Sequence, residues 1–351
     1  PPPQELKLGR NKLEDPAVQS LARGLAQSSA LKRLDLSENK LCGPGAASIA
    51  RALLGGSITP ITGVGAQPQK EEIGKDNTAL GDGEQARGGP PPLEHLDLSC
   101  NPLGDEGGRD LFQAMSAGGC CPSLLRSLAV AEAGLAAGAC IALGVAMCPR
   151  VPCEAKEGAG EGAGGLMLSM LDLSKNDLGV EGLMSLSESF GRGGGRGLEN
   201  LKLAYCRVGD MGVAPLCAAL RLDGYRGLKR LDLSGNGLSG KGAGCALSLA
   251  GVEEVCLFHN SVGDEGVPGV LEGVHANASL STVDLGANGL SGEGLETLLK
   301  GLAGHPALHT LEVGANANDY RSEEAVKSSQ TCNPGLDIAF RRGGEAMEDA
   351  G

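Results

Sequence analysis

The chain has 351 residues and is rich in Gly (58) and Leu (53), but it has no Trp, only 3 Tyr and only 4 Phe. Its formal charge is −13 and no run of basic residues is longer than two, so we expect it to bind neither nucleic acid nor an anionic membrane. With so few rings, Leu and Ala must fill the core, which favours a periodic structure over an irregular globular enzyme.

A pattern of the form LxxLxLxxNxL recurs along the chain. It begins in truncated form at residues 6–13 and continues through nine more copies, at residues 31–41, 93–103, 125–135, 168–178, 198–208, 228–238, 252–262, 280–290 and 308–318. The copy at 125–135 is weak and the last copy is degraded. Ala133 and Cys206 stand where most copies have Asn.

Each copy predicts one strand and one helix. The LxL segment alternates with a period of two, which is typical of a short strand with its leucines facing inward. The Asn side chain can bond the backbone of the neighbouring turn. Six residues after the Asn a Gly recurs, for example Gly242, and we expect it to let the chain turn closely into a helix. Each unit leaves an apolar face that only the next unit can cover, so the units must stack.

These repeats resemble the leucine-rich repeats of the ribonuclease-inhibitor type. The resemblance implies an α/β solenoid, a horseshoe of about ten repeats with parallel strands on the concave face and helices on the convex face. It implies several functions, because this superfamily includes inhibitors, sensor domains of NOD-like immune receptors and the Ran GTPase activator.

The repeats predict a single leucine-rich repeat domain over residues 1–351, interrupted twice. Residues 55–92 lack the pattern and are expected to form a flexible insertion, and residues 149–166 a Gly-rich insertion. Residues 319–351 are expected to form a C-terminal capping segment and tail, with a helix over 322–330 and a closing strand over 336–340. Because the chain starts Pro1-Pro2-Pro3 without Met, we expect it to be a piece of a longer protein.

Glycine patterns that suggest cofactor binding have a simpler interpretation. Gly235-x-Gly237-x-x-Gly240 follows a predicted strand, as in a dinucleotide-binding loop, but Asn236 within it belongs to the repeat. A Walker-type phosphate loop would need Ser or Thr where Gly242 stands. We therefore expect no cofactor and no small-molecule substrate.

Candidate catalytic and metal-binding residues are also lacking. The five His and twelve Cys show no HExxH or CxxC spacing, so neither a metal site nor an enzyme is predicted. Cys217 and Cys245 lie in Ala-rich segments, and we interpret them as reduced core thiols of a cytoplasmic protein.

The residue between the two inner leucines of each strand should point outward from the sheet. These residues are Lys7, Asp35, Asp97, Ala129, Asp172, Lys202, Asp232, Cys256, Asp284 and Glu312. Six of the ten are acidic and should lie about 5 Å apart. Such a row could capture a basic partner. Alternatively, Asp is only the common residue of this repeat and serves solubility or local hydrogen bonds.

Three ring-bearing side chains follow the strands of two repeats. Tyr205 follows the strand of the sixth repeat, and Phe258 and His259 follow that of the eighth. Since rings are so scarce, these residues are candidate anchors of an interface. Drift within a degenerate repeat is the competing explanation.

The sequence therefore predicts a non-catalytic protein–protein interaction module that binds a protein partner, basic in character, on its concave face. One alternative is a GTPase activator of the Ran-activating type, with Arg10 or Arg87 as an arginine finger, although neither matches a family motif and the acidic tail of that branch is missing. The other alternative is the ligand-sensing array of a larger NOD-like receptor.

Overall fold

The structure is a computed structural model that describes residues 3–26, 28–53, 92–117, 124–148, 165–222, 227–317 and 319–340. The expected insertions, 55–92 and 149–166, fall almost entirely outside these residues. The division of the chain into one domain with two insertions and a tail therefore stays a prediction.

The described residues form one parallel sheet of eleven three-residue strands, arranged in chain order. The strands are β1 Glu5–Lys7, β2 Arg33–Asp35, β3 His95–Asp97, β4 Ser127–Ala129, β5 Met170–Asp172, β6 Asn200–Lys202, β7 Arg230–Asp232, β8 Glu254–Cys256, β9 Thr282–Asp284, β10 Thr310–Glu312 and β11 Asp337–Ala339. Every neighbouring pair has the register predicted from the LxL segments, including the weak fourth repeat, where Leu128 pairs with Leu96 and Leu171.

A helix follows each of the first ten strands. The helices are α1 Asp15–Leu25, α2 Gly43–Leu53, α3 Gly104–Ala117, α4 Ala137–Met147, α5 Gly179–Gly191, α6 Gly209–Leu220, α7 Gly240–Leu247, α8 Gly263–Ala276, α9 Gly292–Gly301 and α10 Tyr320–Cys332. The leucine-rich repeat solenoid is thus confirmed as the fold class. Within the described residues, no helix combines the length and the apolar character needed to cross a membrane.

The core lies between the sheet and the helices and is filled mainly by the repeated leucines. The inner leucines of the seventh repeat, Leu231 and Leu233, are 1% and 0% exposed, and the equivalent residues elsewhere are similarly buried. Phe112 and Phe190 are the largest fully buried side chains among the described residues. Equivalent positions accept the same side chain in every repeat, which explains why the composition has many leucines and few rings.

Buried asparagines join neighbouring repeats, as the pattern predicted. Asn236 Nδ2 donates to the carbonyls of Leu203 (2.8 Å) and Leu233 (3.0 Å), and its Oδ1 accepts from the N–H groups of Cys206 (3.0 Å) and Val208 (3.3 Å). These bonds satisfy backbone groups that the short strands leave unpaired.

The two departures from Asn behave differently. The thiol of Cys206 contacts the carbonyl of Leu173 at 3.2 Å and so replaces one donor of the missing amide. Ala133 has no side-chain oxygen to accept the amide of Leu103 in the preceding repeat. That amide donates to the carbonyl of Asn101 at 2.8 Å.

The recurring glycines serve helix packing rather than the turn that the sequence suggested. Gly242 lies in the first turn of α7, and a Cβ there would overlap the Asp210 carboxylate of α6. That carboxylate accepts hydrogen bonds from the amide and the hydroxyl of Ser239 at the start of α7. Gly45 and Gly294 give the same room to Asp15 and Asp264. At these three positions the glycine therefore lets an aspartate of one helix cap the next helix.

Candidate binding surface

The outer side of the sheet, opposite the helices, is called here the strand face. Its main row consists of the last residue of each strand: Lys7, Asp35, Asp97, Ala129, Asp172, Lys202, Asp232, Cys256, Asp284, Glu312 and Ala339. The structure therefore aligns all the predicted outward residues between the first and the tenth strand.

The main row is not a continuous line of negative charge. Ala129 and Cys256 interrupt it, and Lys202 Nζ lies 3.5 Å from Asp172 Oδ2. This ion pair separates the acidic residues of the main row into two groups, Asp35 and Asp97 on β2 and β3, and Asp232, Asp284 and Glu312 on β7, β9 and β10.

The aspartates of the main row accept hydrogen bonds from the chain that follows them. Asp232 Oδ1 accepts hydrogen bonds from the amide (3.0 Å) and the hydroxyl (2.7 Å) of Ser234, two residues later. The same bond to the amide two residues later forms at Asp35, Asp97, Asp172 and Asp284. These bonds shape the chain as it leaves each strand, so local hydrogen bonding accounts for part of the preference for Asp.

The β7–β10 part of the row nevertheless concentrates acidic groups. Burial raises the pKa of Asp284 above its ordinary value, and the nearby charges of Glu312 and Asp232 act in the same direction. Burial, with Asp284 and Asp232, also raises the pKa of the Cys256 thiol to about 12. A cation from a partner would be attracted to this group of carboxylates.

A second row runs along the loops that follow the strands, at the residue after the LxLx segment. Its members all have a positive φ, between 50° and 65°; they are Arg10, Glu38, Cys100, Glu132, Lys175, Tyr205, Gly235, His259, Ala287 and Ala315. We call it the left-handed row.

The two ends of the left-handed row differ in chemistry. Its first half carries charges that pair between repeats, such as Arg10 with Glu38 at 2.8 Å and Lys175 with Glu132 at 3.3 Å. From Tyr205 onward the row carries only rings and small residues. The change occurs beside the acidic end of the main row.

Tyr205, Phe258 and His259 come together at this point, and we call them the aromatic cluster. The ring centroid of His259 lies 5.9 Å from that of Tyr205 and 6.2 Å from that of Phe258, with both ring pairs tilted by 36°. Tyr205 and Phe258 are 41% and 38% exposed. The structure thus brings together three side chains that lie two repeats apart in the sequence.

Two glycines make room for the cluster. A Cβ on Gly235 would overlap the ring of Tyr205 and lie 2.8 Å from its Cγ. On the other side, a Cβ on Gly286 would lie 3.0 Å from the Phe258 ring. The rings therefore lie where the next repeat has no side chain.

Sequence reasoning missed the part that these glycines play. Gly235 was noted only as part of a false cofactor motif. The position of Gly235 could have indicated this role. Most equivalent residues in the left-handed row carry a side chain, and Gly235 lies between the repeats of Tyr205 and His259.

Other candidate residues fall elsewhere. Arg10 donates from Nε to Glu38 Oε1, and Arg87 lies outside the described residues. Cys217 is buried as expected, and Cys245 is partly buried and packs against the edge of the core. The residues that the structure describes contain no group of three or more His, Cys, Asp or Glu side chains able to hold a metal ion.

The comparison with protein-family models supports the repeat assignment. Five segments match the family model described as "Leucine Rich repeat", at residues 27–50, 89–112, 167–187, 228–245 and 276–299. No curated protein sequence matches significantly. Among solved structures, an internalin (inlF) from Listeria monocytogenes is 13% identical, with a TM-score of 0.37, over 97% of this chain and 87% of that one. The five matched segments therefore carry leucine-rich repeats, and the described residues form a parallel sheet with helices along one side.

Proposed function

We propose that this chain is a non-catalytic protein-binding module that holds a basic segment of a protein partner on its strand face. The contact would centre on the aromatic cluster and the acidic residues of β7, β9 and β10. The concave-face position implied by the family resemblance is part of this proposal.

The observation that carries the proposal is the way the aromatic cluster is built. Large rings that are accidental products of drift would not be expected to lie over two glycines of neighbouring repeats. Rings held in a fixed position and half exposed lose little conformational entropy on binding, which makes them effective anchors.

The charge beside the cluster supports a basic partner. Asp232, Asp284 and Glu312 belong to the same face, whereas Arg230 and Glu254, in the other outward row of β7 and β8, form an ion pair with each other at 2.7 Å. A Lys or Arg side chain placed here could contact a carboxylate and the face of Tyr205 or Phe258 together.

A peptide-display selection on the immobilised chain tests this proposal. We expect the recovered peptides to be enriched in Arg and Lys, because the carboxylates of Asp232, Asp284 and Glu312 attract positive charge. Tyr205→Ala and Phe258→Ala should each weaken binding of a recovered peptide about 10-fold or more, as expected for interface anchors.

The matched control is Tyr320→Ala, since Tyr320 is 79% exposed but lies on α10, away from the cluster. It should leave the affinity unchanged. Peptides without basic enrichment, or equal losses for Tyr205→Ala and Tyr320→Ala, would contradict the proposal.

The ribonuclease-inhibitor-like subtype, the GTPase-activator and receptor-sensor alternatives and the cytoplasmic location remain predictions from the sequence. Arg10, one of the two candidate arginine fingers, forms an ion pair with Glu38. No contact among the described residues favours either alternative over the binding module.

A further inference from the structure

Two cysteines meet on the helix side of the sixth and seventh repeats. Cys217 belongs to α6 and is 0% exposed, while Cys245 belongs to α7 and is partly exposed. The two thiols lie close enough for each to affect the pKa of the other. The pair therefore combines an inner thiol with an outer one that solvent can reach.

A guanidinium lies against the outer thiol. Arg221 Nη2 is 3.6 Å from Cys245 Sγ, 3.2 Å from the Cys245 carbonyl oxygen and 2.6 Å from Ser248 Oγ. Three contacts within one small region hold the positive charge next to the sulfur. A cation in this position favours the thiolate, which is the reactive form of cysteine.

The electrostatic surroundings divide the two thiols into different roles. The neighbouring thiol of Cys217 lowers the pKa of Cys245, and Arg221 lowers it further by a hydrogen bond and by its charge. Partial burial and the charge of Asp210 oppose this shift. The proximity of Cys245, together with burial, raises the pKa of Cys217, so the inner thiol stays protonated while the outer one ionises.

Cys245 opens onto a cleft of about 510 Å³ between α7 and α8. Arg221 and Lys241 contribute positive charge to its lining, and Glu265 and Glu272 contribute negative charge. The cleft therefore gives a small polar reagent a route to the sulfur.

We propose that Cys245 is a peroxide-reactive thiol and that Cys217 resolves its oxidised form as a disulfide. The Cys245 thiolate attacks one oxygen of a hydroperoxide, so that an S–O bond forms, the O–O bond breaks and the leaving oxygen takes up a proton. The sulfur is oxidised to the sulfenic acid, while the peroxide is reduced by two electrons. Cys217 then loses its proton and attacks this sulfur, forming the S–S bond and releasing water.

The chain supplies its own controls for reactivity. Cys42 and Cys332 are exposed, but neither has a described bond to a cation. Their reactivity therefore shows what an exposed thiol does without a neighbouring guanidinium, and the reactivity of Cys245 can be compared with it. Cys100 is a third exposed thiol, and its pKa is raised by partial burial and by the charge of Glu132.

The first experiment is alkylation of the full chain with iodoacetamide across pH, with each cysteine followed by mass spectrometry. We expect the midpoint for Cys245 to lie below the about 8.5 of an ordinary thiol and below that of Cys42 and Cys332. Arg221→Gln should raise this midpoint without affecting the Cys42 midpoint. If Cys245 in the parent protein titrates with or above Cys42 and Cys332, the proposal is wrong, whether or not the variant folds.

The second experiment treats the parent protein and Cys217→Ser with hydrogen peroxide. The parent should yield a disulfide-linked pair of peptides containing Cys217 and Cys245. The variant, lacking the resolving thiol, should instead be labelled at Cys245 by dimedone, which traps sulfenic acids. Peroxide oxidation of Cys42 or Cys332 ahead of Cys245, or no link between the two cysteines in the parent, would overturn the proposal.

Discussion

Substituting Gly235 and Gly237 separately tests whether the aromatic cluster depends on the missing side chain of Gly235. The two glycines lie in the same repeat and have nearly the same backbone, with φ of 65° and 68°. A Cβ at Gly235 would overlap the Tyr205 ring, whereas one at Gly237 would have nothing within 4 Å. Gly235→Ala and Gly237→Ala therefore impose the same backbone strain but differ in their effect on the ring.

The expected magnitudes follow from this difference. Each variant should lose about 1–2 kcal/mol for an Ala in the left-handed region. Gly235→Ala should lose about 1 kcal/mol more, because it displaces Tyr205 from its contact with His259, and ring pairs contribute about 0.5–1.5 kcal/mol. Gly235→Ala should also weaken the binding of a selected peptide to the same extent as Tyr205→Ala does.

Urea unfolding and peptide affinity measure the two effects. In NMR spectra, the ring signals of Tyr205 and His259 should shift in Gly235→Ala and remain in place in Gly237→Ala. Equal unfolding free energies for the two variants, with unchanged Tyr205 signals in both, would refute the packing argument.

Three further predictions concern stability. Asn236→Ala should lower the free energy of unfolding by about 3 kcal/mol, because two buried N–H groups lose their acceptor. The control, Asn200→Ala on the strand face, should change this free energy by less than about 0.5 kcal/mol. Urea titration of both variants measures the difference. Asp284→Asn keeps the acceptor for the Gly286 amide and removes a carboxylate whose pKa is raised by burial. The parent should therefore gain stability relative to this variant as the pH falls through the raised pKa and lose it as the pH rises, which melting curves across pH would detect. Ala287→Gly should raise the urea midpoint, with a gain of about 0.5 kcal/mol, by relieving the strain at a φ of 52°; a lower midpoint would contradict this.

The strand positions were predictable because the physical signal is local. An inner Leu at every second position fixes which side chains face the core, so the register of β7 against β8 follows from Leu231 and Val255 alone. The buried Asn236 bonds were predictable for the same reason, since the short strands leave backbone groups that need a partner.

Features that depend on two repeats at once were harder to predict. The left-handed backbone at Tyr205 is not visible in its residue type, because bulky residues seldom adopt it. The room that Gly235 provides becomes evident only when the Tyr205 ring is placed over it. Likewise, the sequence separates Arg221 from Cys245 by a strand, and only the stacking of α6 on α7 shows that they meet.

Reversal of charge on the strand face tests the central proposal most directly. The double variant Asp232→Lys with Asp284→Lys should bind a selected basic peptide at least about 10-fold more weakly at low salt, and the salt dependence of binding should diminish. The matched control reverses Glu265 and Glu272, two exposed acidic residues of α8 on the helix side. Only the strand-face variant should lose affinity for the peptide. Unchanged affinity in that variant, or an equal loss of affinity in both variants, would contradict the proposal.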